Sequence, residues 1–243
     1  MSRLADLQCF YRILDELEQR VGSMRVLGDS DGRMSWPDRG VYLFFEPGEV
    51  RQASGTGPRV VRVGTHALTT GAGTTLWRRL AQHRGVQSSA SGNHRGSIFR
   101  LLVGQALIAR DGLAAETWGS RSDAGKAGQR IGLSRHEVRE LERPVERAVS
   151  AVLGAMPFLW VGVDDLPGPG SRRGFIERNA IALLSNLGEA PVDPPSEGWL
   201  GRFSDRANVR ESGLWNNNHV AEAYDPGFLD VFEALAKTTA REA

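Results

Sequence analysis

The segment FLWVGV, residues 158–163, is apolar at every position except its glycine. A strand with apolar residues on both faces reads as a central strand of a sheet, covered on each side. Such a strand needs partners, and two short segments upstream supply them. GVYLFFE (40–46) and RVVRVGT (59–65) both read as strands. The intervening PGEVRQASGTGP is rich in turn residues and reads as a long hairpin loop.

Helical signals fill most of the remainder. Residues 2–21 carry Leu4, Leu7, Tyr11, Leu14 and Val21 on one stripe. Thr74 or Thr75 can cap LWRRLAQH, and Ser97 can cap SIFRLLVGQALIA. Residues 111–133 are polar and give little signal. Ser134 and Glu137 form a capping box that opens a helix to about Arg143, and Pro144 suits the first turn of another. A helix is expected from about Arg172 to Leu187. A Pro-rich stretch, SGLWNNNHV and a final helix close the chain. The expected fold is α/β: a small three-stranded antiparallel sheet flanked by helices. It divides into an N-terminal helical extension (1–37), a central domain (38–187) with a helical insertion at about 111–155, and a C-terminal extension (188–243).

Composition removes several classes. The 243 residues are 40% hydrophobic, and no apolar run approaches a membrane span. The N-terminus mixes charge with apolar residues, unlike a signal peptide, so a cytoplasmic protein is expected. Cys9 is the only cysteine and the five histidines are scattered, which excludes a disulfide framework and a zinc site. No P-loop or G-x-S-x-G occurs. Net charge is only +1, yet Arg51 to Arg110 holds nine arginines and no Asp or Glu. Guanidinium groups bind phosphate bidentately, so a local basic face for nucleic acid is expected from that segment.

The element order and these residues resemble the GIY-YIG nuclease family. Gly40-Val41-Tyr42 stands where the family has Gly-Ile-Tyr, and Arg62-Val63-Gly64 where it has Tyr-Ile-Gly. TLWRRLAQHRG matches the following helix, and Arg79 and His83 fit the family's arginine and the histidine one turn later. FIERNAIALLSN matches the helix bearing the metal-binding glutamate, at Glu177. The resemblance implies a Mg²⁺- (or Mn²⁺-) dependent endonuclease acting on DNA. Tyr42, Arg79, His83 and Glu177 would be catalytic, with Glu177 as the metal ligand. Arg62, Arg78, His94 and Asn216 would contact substrate. Asn186 and Asn216 compete for the family's downstream asparagine, and Asn216 is favoured because it lies in a polar cluster after Trp215.

The chemistry of the residues agrees with these roles. Phosphodiester hydrolysis needs an activated water, charge on the phosphate and relief of charge on the leaving oxygen. Glu177 is a hard oxygen ligand suited to Mg²⁺, and it flanks the apolar face of its helix near the sheet edge. His83 has an ordinary pKa near neutrality and could position or deprotonate the water. His94 precedes a helix whose N-terminus could hold phosphate.

The second motif tyrosine is replaced by Arg62, which cannot act as a base at neutral pH. That replacement makes a catalytically inactive nucleic-acid-binding module the alternative. Asp164 and Asp165 follow a strand, but a P-D…(D/E)-x-K nuclease site would need a nearby lysine. The chain has only Lys126 and Lys237, so the aspartates read as turn residues. A plain interaction protein, pairing through the N-terminal helix, would leave the arginine segment unexplained.

Overall fold

In the computed structural model, residues 2–120 and 123–239 are described. The sheet is antiparallel throughout and has four strands: β1 (Arg25–Val26), β2 (Gly40–Val50), β3 (Pro58–Gly64) and β4 (Pro157–Gly162). Their order is β1-β4-β2-β3, so FLWVGV does lie between two partners. The fourth strand is a two-residue bridge, too short to leave a pattern in the sequence. β2 runs on to Val50, past the expected start of the hairpin loop, with register shifts on either side of Phe45. A buried Glu49–Arg59 ion pair ties the two strands across that stretch.

The side-chain period of two builds two cores from one sheet. Val41, Leu43 and Phe45 join Leu159 and Val161 on one face. That face is covered by α1 (Arg3–Val21), α6 (Arg172–Leu184) and α8 (Phe228–Thr238). Tyr42, Phe44, Phe158 and Trp160 lie on the other face, against α2 (Leu76–Arg84), α3 (Ile98–Asp111) and α5 (Arg135–Gly154). The apolar stripe of α1, including Leu7, Phe10, Leu14 and Leu17, is buried inside the chain. Of the expected stripe, Leu4 alone is exposed.

Local signals set most helix ends. Thr75, Ser97 and Ser171 accept N–H bonds at the starts of α2, α3 and α6, and Ser134–Glu137 makes both halves of its capping box. The insertion departs from expectation. Its polar start forms the short α4 (Ala124–Gln129), and α5 is one continuous helix through Pro144. Proline removes one intrahelical bond. The helix continues because Val138, Val145, Val149 and Leu153 are buried along one side. α7 (Ala207–Ser212) lies in the C-terminal segment, which caps the exposed edge of β3. There Trp215 N–H donates to the Val61 carbonyl at 2.7 Å. No described helix is long and apolar enough to cross a membrane.

Candidate active site

The two glycines of the half-motifs are needed for close approach. Tyr42 and Gly64 are direct partners across β2 and β3. A Cβ at Gly64 would lie 2.4 Å from the Tyr42 hydroxyl oxygen, and one at Gly40 would lie 2.5 Å from the Val161 carbonyl. Gly64 thus lets the tyrosine ring lie flat on the neighbouring strand.

The Tyr42 hydroxyl meets His83 Nε2 at 2.8 Å, and His83 Nδ1 meets Ser97 Oγ at 2.7 Å. Ser97 is fixed in turn by capping α3, where its Oγ accepts the Arg100 N–H at 3.2 Å. His83 is fully buried. Burial and the charges of Arg79, Arg62 and Arg100 push its pKa well below the ordinary value. A neutral ring has one N–H and one lone pair, so the Ser97–His83–Tyr42 chain runs hydrogen bonds in a single direction. Both nitrogens are committed to protein partners. Neither ring nitrogen is left to meet water directly, and Nε2 contacts Tyr42 instead.

Arg62 pairs with Phe44 while Val60 pairs with Phe45, leaving Val61 as an extra residue. Arg62 shares the Tyr42 face by regular alternation, two residues before Gly64, and the irregularity lies beyond it at Val61. Its guanidinium lies 4.7 Å from the Phe99 ring centroid and donates to the Trp215 carbonyl. Burial lowers its pKa, opposed by Tyr42 and Glu177. Asn216 flanks it: Oδ1 accepts the Val63 N–H at 3.1 Å and Nδ2 donates to the Val63 carbonyl at 2.8 Å. The side chain of Asn216 thus extends the sheet beyond β3. Asn186 instead holds the backbone of Val192 and Asp193.

Helix α6 is docked by residues four apart on one face. Arg173 pairs with Asp165 and donates to the carbonyls of His66 and Ala67. One turn later, Glu177 Oε1 accepts the Thr65 N–H at 3.1 Å. Asp165 also accepts from Ser171, so it is an anchor as well as a turn residue. Burial raises the Glu177 pKa, against the pull of Arg62, the Thr65 N–H, His219 and Arg79. The side chain is only partly buried, and its second oxygen takes no hydrogen bond among the described residues. Arg79, half-buried on α2, donates to Gln82 and to the Gly96 carbonyl at 3.3 Å.

Tyr42, Arg62, Arg79, His83, Asn216 and Glu177 are therefore joined by direct bonds, shared strands or charge coupling. Arg78 is exposed on α2, next to Arg79. One expected contact falls elsewhere. His94 is buried, bonded to Glu146 through N and Nδ1 and stacked on Trp118 at 3.9 Å. Thr65 and the second role of Ser97, beyond its cap, escape sequence reasoning. Thr65 has one available signal, its place directly after the motif glycine.

The arginine-rich segment does not form a basic face. Arg59, Arg95 and Arg100 turn inward to Glu49, Glu142 and Glu146, acids supplied from outside the segment. Arg51 pairs with Asp15, and Arg84 donates to the Ser30 carbonyl. The charge asymmetry reflects long-range ion pairing, which a linear reading cannot distinguish from a surface patch.

Among the described residues, no group of three His, Cys, Asp or Glu side chains could hold a metal. A lone carboxylate still fits Mg²⁺, which keeps several waters and takes one or two protein carboxylates. No curated protein and no solved structure matches the chain. The GIY-YIG domain family matches residues 1–242, which include both terminal segments. The chain belongs to the GIY-YIG family, and that membership implies nuclease activity on nucleic acid.

Proposed function

We propose that the protein is an endonuclease that hydrolyses phosphodiester bonds of DNA with Mg²⁺ or Mn²⁺ held at Glu177. The observation that carries this reading is the Ser97–His83–Tyr42 hydrogen-bond chain beside a carboxylate with one uncommitted oxygen. In hydrolysis a water loses a proton to solvent as its oxygen bonds to phosphorus, and the P–O bond to a deoxyribose oxygen breaks, that oxygen taking up a proton. Arg79 offers donors at the phosphate, and Arg62 adds a fixed positive charge behind Tyr42. His83, held neutral, orients the tyrosine hydroxyl toward the attacking water. Glu177 would hold a divalent ion, which would supply charge to the phosphate and the leaving oxygen. Asn216 keeps β3, and with it Arg62 and Gly64, in register.

A second reading has its own observation. Tyr42 is fully buried, and Arg62 stands where a second hydroxyl would face the substrate. A chain in which Arg62 permanently shields Tyr42 would bind nucleic acid without cutting it. Incubation of supercoiled and linear duplex DNA with the protein and Mg²⁺ or Mn²⁺ separates the two. The nuclease reading expects nicking or cleavage, abolished by Glu177→Ala. Cleavage that survives Glu177→Ala unchanged removes Glu177 from the mechanism. Salt-sensitive binding without cleavage in either metal leaves the binding-module reading.

A further inference from the structure

A ladder of exposed arginines lies in the insertion. Arg135, Arg139, Arg143 and Arg147 occur at four-residue intervals along α5, and all four are exposed. Successive members rise about 6 Å along the helix axis. All four line one cleft of about 560 Å³, with Arg95 and the loop residues Ser89, Ser91, Gly92 and Asn93 on the opposing side. Arg135 and Arg143 make only surface pairs, with Asp123 and Glu140, which are worth little in water. Arg139 and Arg147 have no ion-pair or hydrogen-bond partner among the described residues.

The acids that line the cleft do not oppose an anion. Glu142 takes both nitrogens of Arg95, at 2.6 and 2.7 Å, and the Thr117 hydroxyl. Glu146 is bound by Arg100 and His94. Asp123 caps α4 and meets Arg135. Every lining carboxylate is therefore engaged by the protein, while two guanidinium forks are not.

The cleft and the reactive cluster are two sides of one turn. In residues 94–96, His94 and Arg95 reach back to α5. On the other side, the Gly96 carbonyl receives Arg79 and Ser97 holds His83. Arg100 completes the link by bonding Glu146 and the His83 carbonyl.

We infer that this cleft is a second nucleic-acid contact, which grips the phosphodiester backbone of duplex DNA away from the cut. The choice of DNA rests on the nuclease reading; the anion site itself rests on the arginines. Guanidinium forks match phosphate oxygens bidentately, and a sugar-phosphate strand presents charges at regular intervals that a ladder of arginines can follow. The contact positions substrate without reading its sequence.

The test is anisotropy of a labelled 30-base-pair duplex without divalent metal, over a series of salt concentrations. Arg139→Ala with Arg147→Ala should weaken binding at least tenfold at low salt. It should also flatten the log–log salt slope by about 2, because each phosphate left unneutralised removes roughly one from that slope. Alanine preserves the helix. Arg20→Ala with Lys237→Ala makes the same charge change on α1 and α8, across the sheet, and should leave binding close to wild type. An unchanged slope in the cleft variant, or an equal loss in the control, overturns the proposal. Because the readout is binding, a wild type that never cleaves but shows the predicted slope change keeps the cleft and loses the nuclease reading. Cleavage with an unaltered slope does the reverse.

Discussion

His66, two residues beyond the motif glycine, is nearly buried, with Nδ1 donating to the Thr74 carbonyl at 2.7 Å and Nε2 without a partner. Burial, reinforced by Arg173, Arg79 and Arg39, pushes its pKa down to about 4. The unfolded chain has an ordinary histidine, near 6.5. Between those values the unfolded state binds a proton that the native state refuses, so stability present above about pH 6.5 is lost as pH falls toward 4. Thermal melts from pH 8 to pH 4 should show this loss, and His66→Gln should lose less over the same window. Equal losses would mean that His66 is not held neutral by the fold. The same residue marks a limit of linear reading. Tyr42, Gly64 and His83 can be placed from motif and helical spacing. The burial of His83 and its lowered pKa cannot be placed so, because they depend on arginines from other elements, Arg62 on β3 and Arg100 on α3.

At the scale of elements, α5 is the informative case. Its capping box and apolar stripe are local and legible in the sequence, whereas its continuity through Pro144 and its role as a scaffold are not. The continuity rests on apolar burial along one side, and the scaffold role on buried acids meeting arginines from α3 and the 94–96 turn. Arg100 is fully buried, donates to Glu146 at 2.6 Å and 3.0 Å, and also holds the His83 carbonyl at 2.8 Å. Removing one partner of such a pair leaves a buried charge alone, at a cost of about 3–5 kcal/mol. Arg100→Met should therefore destabilise the protein by that amount in urea unfolding. A change below about 1 kcal/mol would contradict the view that α5 is anchored through this pair. Strands and helices are readable because their periods are short-range. The four-strand order needs the β1–β4 pairing, which a two-residue strand does not announce.

The whole molecule is organised around one sheet with a core on each face, and its C-terminal segment belongs to both. Leu214 and Val220 enter the core under α1, α6 and α8, while Trp199, Val209 and Trp215 enter the other. The indoles of Trp199 and Trp215 both donate to Glu46 on β2, at 3.0 and 2.9 Å. The segment that reads as an extension is thus the wall that supports Arg62, through the Trp215 carbonyl, and β3, through Asn216. On the proposed reading, a GIY-YIG site works with an arginine in its second half-motif because Tyr42 is still aimed by His83. Single-turnover cleavage of duplex DNA in Mg²⁺ by wild type and Tyr42→Phe tests it most directly, since phenylalanine keeps the ring in the core and removes only the hydroxyl. Cleavage by the wild type and a loss of at least about 100-fold in the variant are expected, within the usual range for acid–base groups, with binding unchanged. Wild-type rates in Tyr42→Phe would remove the hydroxyl from the chemistry.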